Sequence, residues 1–159
     1  MRFCLLDRIL ELEPGVRVVG LKRLRPDEDY LKDHFPRFPV MPGVLMLEAM
    51  YQASAWLVRQ SEGFANAVVL LKEARNIKYA DFVTPGKELV VTAEILKQDD
   101  SLTTLKTQGT IDGNLAVNGR LVLERFNLAD RHPARRDTDP YLRDEMREVL
   151  KKLLAPSTT

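Results

Sequence analysis

The feature that most constrains this chain is an apolar run with almost no polar side: Val44-Leu45-Met46-Leu47-Glu48-Ala49-Met50-Tyr51-Gln52-Ala53-Ser54-Ala55-Trp56-Leu57-Val58. It contains no glycine or proline, and Pro42 and Gly43 stand just before it. The pattern predicts a helix over 43–60. A helix that is apolar nearly all round has to be covered nearly all round. The run is also shorter than the roughly 18–20 residues needed to cross a bilayer, so the cover has to come from protein. Glu48 and Gln52 are the main polar intruders, one helical turn apart on one face.

The rest of the sequence supplies the wrapping. Ile9 to Gly15 ends in a Pro-Gly turn, and Val16 to Leu24 alternates like a strand, with Val16, Val18 and Gly20 on one side. Arg25 to Asp33 is polar and irregular. From Ala65 onward the chain reads as strands. Ala67 to Leu71 continues through Lys72 to Asp81, and Thr84-Pro85-Gly86-Lys87 makes a turn. Glu88 to Lys97 alternates with Leu89, Val91, Ala93 and Ile95 on one face, and Leu102 to Ile111 follows. Asp112-Gly113 is a two-residue hairpin signal leading into Leu115 to Phe126. Leu128 to Pro140 is basic and rich in breakers, and reads as a linker. Tyr141 to Leu154 reads as a helix, with Thr138 or Asp139 as its cap and Pro140 at its first position. The expected architecture is α+β, a long buried helix wrapped by a curved antiparallel sheet, with one domain over 1–128 and a basic linker plus helical extension over 129–159.

The chemistry concentrates in His34-Phe35-Pro36-Arg37-Phe38-Pro39-Val40-Met41-Pro42-Gly43, which runs straight into the helix that carries Glu48. Three prolines at regular spacing stiffen the loop. The segment offers an imidazole on a rigid loop, a backbone N–H at a helix start (Gly43), and one carboxyl group among apolar neighbours. Removal of water from a 3-hydroxyacyl thioester uses each of these. The imidazole suits removal of the α-proton. A helix N-terminus stabilises the enolate-like oxygen. The carboxyl group serves the departing hydroxyl.

These residues resemble the catalytic segment of the 3-hydroxyacyl-acyl carrier protein dehydratases of bacterial type II fatty acid synthesis, the FabZ type of the hotdog superfamily. That segment has the form His-Phe-Pro-x-x-Pro-x-x-Pro-Gly-Val-Leu, with an acidic residue fourteen positions after the histidine, the spacing of His34 and Glu48. Glutamate there is FabZ-like, whereas the dehydratase-isomerase branch usually has aspartate. Leu6 to Gly15, Val83-Thr84-Pro85-Gly86 and Asp112-Gly113 extend the resemblance over residues 5–128. It implies a hotdog fold and dehydration of (3R)-3-hydroxyacyl thioesters to trans-2-enoyl thioesters. His34 would be the base and Glu48 the acid, with the thioester oxygen on the Gly43 N–H. The Val40 carbonyl would orient the imidazole, and Gln52 would hold the Glu48 carboxyl. It also implies a cis His34-Phe35 bond, and a site shared between two subunits, in a homodimer or a trimer of dimers. The partner would be acyl carrier protein, with no cofactor beyond its phosphopantetheine arm. Arg37-Phe38 departs from the family's usual pair at this point. Arg37, Phe38, Met41 and Tyr79 are candidates for the acyl tunnel or the carrier contact.

Other readings stay open on sequence alone. His34 also suits a structural role in its loop, and the proline spacing also suits a polyproline ligand. Lys72, Arg75 and Lys78 form either a carrier patch with Arg37 or a solvated face. A thioesterase on the same fold, or a non-catalytic acyl-binding homologue, competes with the dehydratase. Acidic and basic residues nearly cancel to a net charge of +1, which gives no reason to expect nucleic acid as a partner. The single cysteine, Cys4, allows no internal disulfide. Met1 to Arg8 does not read as a signal peptide, and a cytoplasmic protein is expected. No metal-ligand spacing is evident.

Overall fold

The computed structural model describes residues 4–155. The part of the signal-peptide reading that concerns Met1, Arg2 and Phe3 lies outside the described residues. Six strands form one antiparallel sheet: β1 (Arg8–Glu13), β2 (Arg17–Arg23), β3 (Val68–Tyr79), β4 (Glu88–Gln98), β5 (Leu102–Ile111) and β6 (Asn114–Phe126). Their order across the sheet is β1-β2-β4-β5-β6-β3. The long helix α1 (Gly43–Ser61) touches all six strands, which requires the sheet to curve around it.

The sheet follows from period-two patterning. Leu89, Val91 and Ala93 of β4 are fully buried, as the alternation predicts, and Leu105 of β5 and Leu121 of β6 are buried in the same core. Ala49, Met50, Ala53, Trp56 and Leu57 of α1 are fully buried. Each large side chain so buried contributes about 1.5–3 kcal/mol. Helix α1 lies close to β2 at Gly20. A Cβ there would lie 3.5 Å from the Ala53 Cβ and 3.3 Å from Val91 Cγ2, so a larger residue would push the helix off β2. Val16, expected beside Val18, is instead 46% exposed, because it belongs to the turn before β2.

The hairpin at 112–113 forms as predicted. Asp112 (φ 52°) and Gly113 (φ 81°) both take left-handed backbone, and Ile111 pairs with Asn114. The segment 25–33, read as irregular, contains a 3-10 turn at Asp29–Lys32 that buries Leu31. An ion pair pins this segment to the sheet. The buried Lys22 of β2 holds the Glu28 carboxylate, which also accepts from Tyr30 Oη (2.8 Å) and from the Arg25 N–H (3.1 Å). At the far end, Arg125 and Glu62 form a buried pair at 3.1 Å that joins β6 to the end of α1.

The stretch read as a linker is largely helical. It holds α2 (Leu128–Arg131) and a 3-10 turn at Pro133–Arg135, before α3 (Thr138–Leu154). A capping box between Asn127 and Asp130 starts α2. Asp139 does not cap its own helix. Its buried carboxylate accepts the Leu128 and Ala129 N–H groups at 2.7 and 3.1 Å, tying α3 back to α2. Helix α3 packs against the edge strand β1, with Leu150 and Leu153 buried. Helix α3 therefore lies against β1 of its own chain.

Candidate active site

The Pro-rich loop leaves the 3-10 turn and delivers His34 beside its own far end. Phe35 adopts φ 56°, and the Phe38 N–H bonds back to the Phe35 carbonyl at 2.8 Å. Left-handed backbone costs a non-glycine residue about 1–2 kcal/mol. No peptide bond among the described residues is cis, so the expected cis His34-Phe35 bond is corrected. The chain turns at Phe35 through its left-handed torsion. The Met41 N–H then bonds to the Val83 carbonyl at 2.9 Å and fastens the loop to the turn before β4. Val40 and Met41 are buried, which holds the main chain between them still.

His34 is half-buried, and its Nδ1 lies 2.9 Å from the Val40 carbonyl oxygen. A carbonyl oxygen only accepts, so Nδ1 must carry the hydrogen. In the neutral ring the lone pair is then on Nε2, the nitrogen turned away from the tether. The fixed tautomer is the one a proton-abstracting imidazole needs.

Helix α1 begins at Gly43 without a side-chain cap. The Leu45 and Met46 N–H groups turn back to the Pro42 carbonyl, which leaves the Gly43 and Val44 N–H groups without a backbone partner among the described residues. A ring lies against Gly43. A Cβ there would sit 3.0 Å from Tyr79 Cε1 and 3.1 Å from Cζ. The Tyr79 hydroxyl donates to the Gly43 carbonyl at 2.9 Å. Desolvation holds this phenol above its ordinary pKa, so it remains a donor at neutral pH. Tyr79 is therefore a strut from the end of β3 to the start of α1. Nothing local marks this contact in the sequence, because the two residues share no period.

One turn and a half into α1, Glu48 is half-buried, and its Oε1 accepts from Gln52 Nε2 at 3.1 Å. Gln52 is buried, and its Oε1 accepts the Leu5 N–H at 2.9 Å. Cys4 stands next to that contact with an exposed thiol, which desolvation nonetheless pushes above its usual pKa. Within the single chain, the hydrogen bond of His34 goes to Val40 and that of Glu48 to Gln52, with none between the two. Arg37 and Phe38 are exposed, and Phe38 meets Phe82 edge-on with ring centres 6.0 Å apart. Phe35, Phe38, Val44 and Phe82, each more than half exposed, are borne by the loop, the helix start and the turn after β3.

Comparison with known proteins agrees with this arrangement. The FabA-like domain family matches residues 1–125. A 3-hydroxyacyl-[acyl-carrier-protein] dehydratase FabZ of Geobacillus thermodenitrificans is 37% identical over 129 residues, covering 81% of this chain and 87% of the relative. The FabZ of Ruminiclostridium cellulolyticum is 35% identical over 119 residues, or 75% and 84% of the two chains. Among solved structures, the dehydratase heterocomplex ApeI:P of Xenorhabdus doucetiae superposes with a TM-score of 0.62 at 22% identity, covering 78% of this chain and 84% of that one. Thioesterase superfamily member 2 of Mus musculus superposes at 0.57 and 18% identity, covering 73% and 79%. These two likenesses speak for the fold alone, which is the hotdog fold. On the matched length and the identity to curated FabZ proteins, the chain belongs to the FabA-like dehydratase family.

Proposed function

We propose that the protein dehydrates (3R)-3-hydroxyacyl thioesters carried by acyl carrier protein to trans-2-enoyl thioesters, as a hydro-lyase of type II fatty acid synthesis. The observation that carries this reading is the His34 tether. An Nδ1–H committed to Val40 leaves the Nε2 lone pair as a base, on the loop that runs into a helix start whose first N–H groups have no backbone partner among the described residues. His34 Nε2 takes the α-proton, and electron density moves onto the thioester oxygen. That oxygen is held by the Gly43 N–H, where the helix dipole favours negative charge. The Cβ–OH bond breaks as Glu48 supplies a proton, and water leaves. The Glu48 carboxylate and the His34 imidazolium then return to their starting states by exchange with solvent.

His34 and Glu48 of one site come from two copies of the chain, and the homodimer is the smallest active unit, alone or in a trimer of dimers. The exposed Phe35, Phe38, Val44 and Phe82 support this, since such apolar groups around a loop call for a cover. Arg37, exposed beside them, suits an acidic carrier or the phosphate of its arm. The chemistry needs no cofactor beyond that arm. No helix among the described residues is long and apolar enough to cross a membrane, and a cytoplasmic location is part of this proposal.

The test follows hydration of a trans-2-enoyl thioester through its enone absorbance, with wild type, His34→Ala and Glu48→Gln in parallel. The expected result is turnover by wild type and a fall of at least about a hundredfold in both variants. Wild type inert on carrier-bound and CoA-bound substrates defeats the proposal. Release of free acid from a saturated acyl thioester would point to a thioesterase instead.

A further inference from the structure

We propose that Tyr51 is a specificity-determining residue, one half of a bridge with Arg59 that closes the Glu48 face of α1 and restricts the enzyme to short acyl chains. The inference rests on the dehydratase reading of the site. Its starting point is the order of side chains around α1. Ala55 and Arg59 follow Glu48 by seven and eleven residues, which returns both to within about 20° of it around the helix. Tyr51 stands one turn from Glu48 on the flank turned to β3, and its hydroxyl donates to the Val69 carbonyl at 2.6 Å. Gln52 and Leu5, joined at 2.9 Å, wall the opposite flank. Between these walls, the line open to an acyl chain beyond Cβ runs along α1 and over Ala55, roughly 10 Å past Glu48.

That line is closed at Ala55. The residue is small and on the Glu48 side of the helix, yet it is only 1% exposed. The Arg59 guanidinium donates to the Tyr51 hydroxyl. Side chains on a helix lean toward its N-terminus, so Arg59 is the residue that reaches back. A contact between residues eight apart has to span the residue four from each, which here is Ala55. The bridge runs on through Tyr51 to Val69 and so joins α1 to the edge strand β3.

The bridge is built to stay shut. Arg59 is buried, and its guanidinium lies over the Trp56 ring at 5.1 Å from the centroid. Among the described residues no carboxylate is in ion-pair contact with it, since Glu62 is committed to Arg125 at 3.1 Å, and its Nε has no hydrogen-bond partner. An acyl chain that pushed Tyr51 aside would take an acceptor from a buried cation, and methylene groups offer none in exchange. Glu48, Tyr51, Ala55 and Arg59 belong to one chain, so the stop is the same whichever copy supplies His34.

The experiment compares trans-2-butenoyl and trans-2-dodecenoyl thioesters on the same carrier, in wild type, Tyr51→Ala and Arg59→Ala, with melting temperatures to confirm folding. Wild type should favour butenoyl by at least about tenfold in kcat/KM. The ratio of dodecenoyl to butenoyl kcat/KM should rise at least about tenfold in Tyr51→Ala, and in the same direction in Arg59→Ala, which removes the other half of the bridge and decides the matter if Tyr51→Ala does not fold. A merely structural residue would lower both rates alike. An unchanged ratio in the folded variants, or a wild type that takes dodecenoyl as well as butenoyl, overturns the proposal. If wild type turns over neither thioester, the dehydratase reading fails, and calorimetry with saturated dodecanoyl-pantetheine then decides about the stop. Folded variants should bind it at least about tenfold more tightly than wild type, and equal binding overturns the proposal.

Discussion

Removing the Glu62 carboxylate should cost far more than its position at a helix end suggests. Its Oε2 meets Arg125 Nη1 at 3.1 Å, and the two side chains are only 9% and 6% exposed. Glu62 also accepts the Asn66 N–H at 3.2 Å. In Glu62→Ala the guanidinium of Arg125 stays buried, hydrogen-bonded to the carbonyls of Asp99 and Leu102 and without its paired carboxylate, although the Asp99 carboxylate still acts on it from farther away. A buried charge left without its counter-ion costs about 3–5 kcal/mol. For a chain of this size each kcal/mol lowers Tm by about 2–4 °C, so the expected fall is about 6–20 °C. Replacing both partners, Glu62→Leu with Arg125→Met, removes the unpaired charge and should recover most of that loss. The assay is thermal and urea unfolding followed by circular dichroism at one fixed protein concentration, because assembly shifts the apparent stability. A loss below about 1 kcal/mol in Glu62→Ala would place the pair with solvent-screened surface bridges and refute the burial argument.

Three further outcomes are expected. Gly43→Ala forces the Tyr79 ring away and breaks its bond to the Gly43 carbonyl, a loss of about 1 kcal/mol that alanine's helix propensity offsets by a similar amount; Tm should stay nearly constant while kcat falls, and a large drop in Tm would count against the strut. Burial pushes the Glu28 carboxyl up, but hydrogen bonds from Lys22, Tyr30 and the Arg25 N–H outweigh it and leave the pKa below its ordinary value. Its stabilisation is therefore complete above the unfolded value of about 4.3 and is lost as pH falls through the folded one. A plot of Tm against pH should lose part of its acid slope in Glu28→Gln, and an unchanged slope would remove this group from the account. Asp139→Ala strands two N–H groups at the start of α2 and should cost about 1–3 kcal/mol in unfolding free energy with activity per folded molecule preserved; a neutral result would show that the α2–α3 tie is not needed.

The parts of this molecule legible in the sequence are those written with a local period. Leu89, Val91 and Ala93 declare a half-buried strand, Asp112-Gly113 declares a hairpin, and the run from Val44 to Val58 declares a covered helix. His34 with Val40, and Glu48 with Gln52, lie close in sequence, and each pair is hydrogen-bonded. Contacts made across the fold were not legible. Leu5 reaches Gln52 across 47 residues and Tyr79 reaches Gly43 across 36, and nothing local marks either pair. The helical character of 128–140 was missed for a different reason. Basic residues and Pro133 suggested a linker, while the Asn127–Asp130 capping box, a local signal, stood in the sequence unused. The role of Asp139 as an acceptor for another helix is tertiary, and so the cap assigned to it on α3 was misplaced.

Cys4 makes the molecule convenient to instrument. It is the one thiol in the sequence, it is exposed, and it precedes the residue whose N–H holds Gln52. A fluorophore or spin label attached there reports from beside the support of Glu48 without any engineered cysteine. Because the thiol titrates above its usual range, little of it is thiolate at neutral pH, and attachment should be slow there and quicken as the solution is made alkaline.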